Sequence, residues 1–305
     1  MPVNIPDKLP AIEALQKENI FVIDQTRAVH QDIRPLRIAV LNLMPVKITT
    51  ETDLIRILSN TPLQLELDLV KVMAHTPKNT PIEHMQAFYA DFETIRHKKY
   101  DGLIVTGAPV EQMEFEDVNY WDELKVIFDW AQHNVQSSLF ICWASMAALY
   151  HYYNVPKYPL DEKMFGVFHH VPSDRTLPIF RGFDDEFHMP HSRHTEIRKE
   201  DIDKVPELEL IASSDEAGVG IVQEKGGRKV FITGHFEYSN YNLHEEYRRD
   251  LAKGLPIKMP KHYYRKNNPE REPVVRWRGH ANLFFQNWLN YLVYQETPFN
   301  IDDIK

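Results

Sequence analysis

The chain holds one cysteine, Cys142, set between an apolar run, Leu139-Phe140-Ile141, and a helix-like run, Trp143 to Leu149. That pattern reads as a strand turning into a helix, with the thiol at the helix N-terminus. There the macrodipole and the unsatisfied backbone N–H groups favour a thiolate and can hold an oxyanion. Nucleophilic catalysis suits such a place. So does a small buried hydrophobe, which a free cysteine often is, and position alone leaves both open. A thiol nucleophile needs a base and a group that orients the base. The segment Thr233-Gly234-His235-Phe236-Glu237 supplies both, after the apolar run that starts at Lys229. His235 and Glu237 are two residues apart, so in an extended segment they share a side. With 15 histidines and 44 acidic residues, chance pairs are common. This pair gains weight because it ends an apolar strand, as Cys142 does.

Such groups need a scaffold that delivers strand ends to one rim. Arg37 to Leu43, Asp101 to Thr106 and Leu139 to Cys142 read as buried strands, and Leu63 to Leu69 alternates like a half-exposed one. Between them, Thr50 and Asp53 resemble a capping box before an apolar helix, and Trp121, Leu124, Phe128 and Ala131 form a helical stripe. The alternation predicts an α/β fold, a mainly parallel sheet flanked by helices. Ligands of such sheets bind beyond the carboxyl ends of the strands. Three loops fall there: Met44 to Lys47, Gly107 to Glu111, and Cys142-Trp143. The second half adds strands at Gly166 to Val171, Leu208 to Ser213, Val219 to Gln223 and Lys229 to Thr233. Gly226-Gly227 makes a hairpin turn between the last two. Helices are predicted at Asn242 to Ala252 and Ala281 to Val293. Residues 1–36 read as an extension packed on the body, 37–297 as a single domain and 298–305 as a tail.

Hydrophobic content of 43% and charged content of 26% suit a soluble globular chain. A net charge of -9 gives no general affinity for nucleic acid. One cysteine excludes an intrachain disulfide framework and a Cys-rich zinc site. No signal peptide or membrane-spanning stretch is evident, so the cytoplasm is the expected compartment. His188, His191 and His194 are the one histidine cluster, but no thiol or acid completes a ligand set, and no metal is expected.

The Cys142 turn and Gly234-His235-Phe236-Glu237 resemble the nucleophile turn and His-x-Glu of class I glutamine amidotransferases, a flavodoxin-like fold. The chain departs from them at Phe140 and Ala144, where that turn usually has Gly, and at Phe236, usually Pro. A closer resemblance is to the homoserine O-acyltransferase (homoserine transsuccinylase) family of methionine biosynthesis, which shares that fold. It is carried by Leu41-Asn42-Leu43-Met44-Pro45-Val46-Lys47-Ile48-Thr49-Thr50-Glu51, the Cys142 turn, Met189-Pro190-His191-Ser192-Arg193-His194 and Gly234 to Glu237.

The resemblance implies Cys142 as acyl-thioester nucleophile, His235 as general base and Glu237 as its partner. The Trp143 N–H is placed to hold the oxyanion. Lys47 is implied as a second stabiliser, although by itself it reads as a solvated lysine before a helix. Homoserine carries a carboxylate and an ammonium, so its site should offer an Arg and an acid. Glu246 and Arg249 share a helix face. As sequence they fit a surface ion pair equally; the family reading makes Arg249 a carboxylate ligand, with Lys163, Ser192, Arg193 and Glu246 in the substrate region. In this family a Glu at the position of Glu111 goes with acetyl and a small residue with succinyl. A succinyl carboxylate beside Glu111 would set like charges together, which is costly in a desolvated pocket. Acetyl-CoA is therefore the expected cosubstrate and L-homoserine the acceptor, with no tightly bound cofactor. The family also suggests a homodimer. The basic tract Lys261 to Lys266 suits coenzyme A phosphates or a solvated loop.

Overall fold

The computed structural model describes residues 3–5, 9–17, 23–24, 34–74, 79–298 and 300–304. Among them the apolar runs pair into one twelve-stranded sheet. In chain order the strands are β1 (Val3–Ile5), β2 (Ile23–Asp24), β3 (Leu36–Leu41), β4 (Leu65–Lys71), β5 (Tyr89–Asp91), β6 (Tyr100–Val105), β7 (Val135–Ile141), β8 (Tyr158–Pro172), β9 (Phe187–Glu196), β10 (Leu208–Ser214), β11 (Gly218–Glu224) and β12 (Lys229–Ile232). Across the sheet the order is β2-β1-β4-β3-β6-β7-β12-β11-β10-β8-β9, with β5 beside β4. Every pairing from β2 to β12 is parallel, and every one from β12 to β9 is antiparallel. The chain steps from β3 to β4 and then returns to the other side of β3 with β6. That reversal is the switch point where open α/β sheets bind ligands.

Successive residues of a strand face opposite layers. Ile38 and Val40 pack with Leu54, Phe284 and Trp288, whereas Ala39 and Leu41 pack with Leu124, Phe128 and Trp143. Helices therefore cover both faces of the parallel part, and both layers hold the sheet in place beneath the rim. The helix Trp143–Tyr153 is apolar over its first two turns, where Trp143 to Leu149 are all buried, as a helix segment inside the protein requires. Gly226 and Gly227, with φ of 95° and 78°, turn β11 into β12 as the sequence predicts.

Several elements differ from the sequence reading. The helix Lys47–Leu58 starts at Lys47, so Thr50 and Asp53 are not a capping box. Asp53 instead accepts from Arg56 Nη1 (2.6 Å) and Asn242 Nδ2 (2.7 Å). The segment Met189 to His194 lies in β9, paired along β8 in a long hairpin. Polar residues and Pro190 hide that strand in the sequence. The predicted helix to Val293 is α-helical over Arg278–Asn287 and continues as π-helix over Trp288–Tyr294. Within the predicted N-terminal extension, Val3–Ile5 pairs with β4 on one side and Ile23–Asp24 on the other.

Burial pushes the Asp53 carboxyl up to about 6, against the lowering effect of Asn242 and Arg56. The folded state therefore holds this proton at a pH where the unfolded chain has lost it, and stability from this group is lost as pH rises through about 6. Relative to Asp53→Asn, which cannot titrate, the native chain should lose roughly 2–3 kcal/mol between pH 4 and pH 7. Urea midpoints of both proteins across that range check this; a pH-independent difference would contradict it.

Candidate active site

Cys142 ends β7 and begins the helix Trp143–Tyr153 with φ 53° and ψ -118°. A side chain at positive φ costs on the order of 1–3 kcal/mol and survives only where its surroundings over-determine it. They do here. The Cys142 N–H donates to the Ile232 carbonyl at 2.7 Å, extending the β7–β12 ladder into the turn. Its carbonyl accepts from the Ser145 N–H (3.0 Å) and the Ser145 hydroxyl (2.6 Å). Trp143 is the first residue of the helix, so its N–H is among those no helix carbonyl takes.

His235 follows β12, the strand beside β7; it is hydrogen-bonded to Glu237 and has Cys142 as a close electrostatic neighbour. Its Nδ1 lies 2.6 Å from Glu237 Oε1. Gly107, in the loop after β6, closes over the pair: a methyl there would stand 3.2 Å from Cys142 Cβ and 3.6 Å from His235 Cε1. The strands β6, β7 and β12 thus bring three loops to one point. Behind His235 the chain passes close to β9, and a Cβ on Gly234 would meet the Pro190 carbonyl at 2.7 Å. This approach lets the His235 N–H donate to Pro190 O at 2.8 Å. Tyr238 lies against the imidazole, ring centroids 4.0 Å apart and planes 13° from parallel. Burial alone would push His235 down. The charges and hydrogen bonds of Cys142 and Glu237 outweigh it and hold the imidazole well above its usual range.

Beside this triad lies a polar cluster. Lys163 Nζ is 2.5 Å from Glu246 Oε1 and 3.8 Å from Asp250 Oδ2. The Ser192 hydroxyl lies 2.9 Å from both Glu246 carboxylate oxygens. Arg249 reaches Asp250 at 2.7 Å and Glu246 at 3.6 Å, so Glu246 and Arg249 do share a face. Glu111 lies between this cluster and the triad. Its carboxylate accepts from the His194 N–H at 2.9 Å, and Lys157 Nζ holds its loop through the Glu111 (2.8 Å) and Met113 (2.6 Å) carbonyls. Burial pushes Glu111 up; the His194 N–H, Lys163 and His235 pull it back, and Glu246 adds to the rise.

Two candidates are placed differently from the sequence reading. Lys47 is buried, not solvated, and donates to the Asn42 (2.5 Å) and Met44 (3.3 Å) carbonyls of its own loop. Burial pulls it down to about 8. No bond joins it to Cys142 or His235 among the described residues. Arg193 is fully buried, with its guanidinium on the Thr195 and Ala217 carbonyls (2.6 and 2.5 Å), so it faces β-sheet backbone rather than the polar cluster. Its Nε donates to His191 Nδ1 (3.4 Å). That fixes the rest of a chain: His191 Nε2–H to His170 Nε2 (3.2 Å), then His170 Nδ1–H to the Phe168 carbonyl (3.0 Å). Burial holds both histidines neutral at ordinary pH, His170 down to about 3. His191 faces the opposite side of β9 from His188 and His194, so the three do not converge.

A family model described as homoserine O-succinyltransferase matches residues 2–299. The chain belongs to this family. Members similar to it over their full length carry a different acyl group in their names. A homoserine O-acetyltransferase of Phocaeicola vulgatus is 68% identical over 305 residues, covering all of both chains. One of Acetivibrio thermocellus is 60% identical, again over all of both. Among solved structures, a glutamine amidotransferase of Thermotoga maritima superposes with a TM-score of 0.57 at 13% identity, covering 86% of this chain and 100% of that one. That likeness is one of fold, and it is the fold the resemblance implies.

Three supporting residues escape the sequence reading: Ser145, Lys157 and Tyr238. Each acts through a turn or a loop rather than through a periodic pattern. Tyr238 had a signal, since it directly follows Glu237, but nothing in the spacing says that the chain folds back onto the imidazole.

Proposed function

We propose that the chain is a homoserine O-acetyltransferase of methionine biosynthesis, acting in the cytoplasm through a Cys142 acetyl-thioester. The reading rests above all on Cys142 in its strained turn, beside a His235 that Glu237 orients. The names of its full-length relatives support the acyl group and the acceptor.

The Cys142 thiolate adds to the carbonyl of acetyl-CoA, and the Trp143 N–H receives the oxyanion. The tetrahedral adduct expels the coenzyme A thiolate, which takes the His235 proton and leaves as the thiol. A neutral thioester now stands where the thiolate was, so the strongest support for the imidazolium is gone. His235 is left neutral and able to accept a proton. The homoserine hydroxyl attacks the thioester, its proton passes to His235, and collapse returns the Cys142 thiolate beside the imidazolium. The same histidine serves as acid and then base because its neighbour changes charge. No resident cofactor is called for. Glu246 and Asp250 suit the homoserine ammonium, and Arg249 and Lys163 its carboxylate.

Glu111 selects the donor. With Glu246 nearby, a succinyl carboxylate would be a further negative charge in a partly desolvated pocket, whereas acetyl brings none. The family description favours succinyl-CoA, so the two donors are compared directly, with homoserine as acceptor. The native chain should prefer acetyl-CoA, and Glu111→Gly should move the kcat/KM ratio toward succinyl-CoA by roughly 10–100-fold. A native preference for succinyl-CoA would overturn the acetyl reading.

A further inference from the structure

A cavity of about 560 Å³ opens beside the polar cluster, within the size range of small-ligand sites. Gln112, Lys163 and His194 line the part of it nearest Glu111. Gln112 adjoins Glu111 in sequence, and His194 bonds the Glu111 carboxylate, so this end faces the acyl-selecting residue. Phe165, Leu255 and Met259 make an apolar wall. Leu255 is half exposed along this wall. The lining also carries Lys258 and Lys261, both exposed, together with the acids Asp161, Glu162 and Asp250.

From this lining we infer that the cavity is the handle site of the acyl donor: the pantetheine arm lies along the Phe165–Leu255–Met259 wall, and Lys258 and Lys261 hold the phosphates. The inference rests on the acyltransferase reading above. Polarity sets the direction, because the thioester must reach Glu111 and the triad while the phosphates need cations near solvent. Lys261 is held for the task. Its N–H donates to the Phe165 carbonyl and its carbonyl accepts from the Val167 N–H, both at 2.9 Å. The approach is so close that a Cβ on Gly166 would stand 2.4 Å from the Lys261 carbonyl oxygen, and Gly166 has φ +148°. Both lysines already have acidic neighbours, Glu162 for Lys258 (2.5 Å) and Glu216 for Lys261 (3.6 Å). These pairs are exposed and weak, so a phosphate, with more charge and more acceptor oxygens, displaces the carboxylates.

The test compares acetyl-CoA with S-acetyl-N-acetylcysteamine, a short thioester without phosphates, in the native chain and in Lys258→Ala/Lys261→Ala. The double variant should raise KM for acetyl-CoA by about tenfold, equivalent to about 1.4 kcal/mol. The short thioester's kcat/KM and the KM for homoserine should stay unchanged. An unchanged KM for acetyl-CoA, or equal losses with both donors, would overturn the handle site alone. A native chain that transfers acetyl from neither donor would instead overturn the acyltransferase reading.

Discussion

Cys142→Ala should lower acetyl transfer by roughly 10³–10⁶-fold, the range seen when a nucleophile is removed and only binding and oxyanion stabilisation remain. Mixed briefly with acetyl-CoA and no acceptor, the native chain should gain one acetyl group by intact mass. The variant should gain none, and homoserine should discharge the native adduct. The substitution is a clean probe because it deletes only the sulfur. The turn is held by the Cys142 N–H and carbonyl, bonded to Ile232 and Ser145, and alanine keeps both groups. Circular dichroism and the urea midpoint should therefore stay close to native. An acetyl adduct of equal yield in the variant would move the nucleophile elsewhere and remove the basis of the mechanism. Cys142→Ser adds a second reading. A hydroxyl is far less ionised than a thiol, so the serine variant should acylate slowly even though His235 still faces it.

The triad was legible because each member ends an apolar strand. Leu139 to Ile141 and Val230 to Ile232 are buried on both faces, so their sequences are apolar runs and their ends are marked by the first polar residues. Parallel pairing of β7 with β12 then puts those ends side by side. The sequence carries no such mark for β9. It is a buried strand built from Met189, Pro190, His191 and Arg193, and its polar groups are satisfied by His170 and by distant carbonyls. Such long-range hydrogen bonds leave no local pattern, so nothing in the sequence shows that backbone carbonyls hold the Arg193 guanidinium. The burial of Lys47 was hidden for a related reason. A lysine before a helix is usually solvated, and only the folded loop supplies the two carbonyls that let it be buried. The π-helical end of the last long helix is also invisible to periodicity, because Trp288, Leu289 and Leu292 have spacings that an α-helix would also use.

The deepest consequence of the His235 environment appears in the second half of the reaction. At rest, Cys142 and Glu237 together hold the imidazole well above its usual range against the pull of burial. In the proposed acetyl-enzyme Cys142 is a neutral thioester, and Glu237 is the partner still bonded to the ring. It orients Nδ1 at 2.6 Å and stabilises the imidazolium that forms as homoserine attacks. Glu237→Gln keeps an oxygen at that place but removes its charge. Discharge of the acetyl-enzyme by homoserine should slow by about 10²–10⁴-fold, or about 3–5 kcal/mol of barrier. Its pH dependence should also move in one direction. Discharge needs neutral His235, so its rate falls on the acid side. Losing the carboxylate leaves burial less opposed, lowers the histidine further and shifts that acid limb to lower pH. Single-turnover discharge of preformed acetyl-enzyme between pH 5 and pH 9 separates the two effects. A lowered plateau with an unmoved limb would mean that Glu237 positions the ring without tuning it. An unchanged plateau would remove Glu237 from the reaction and leave Cys142 and His235 to act as a pair.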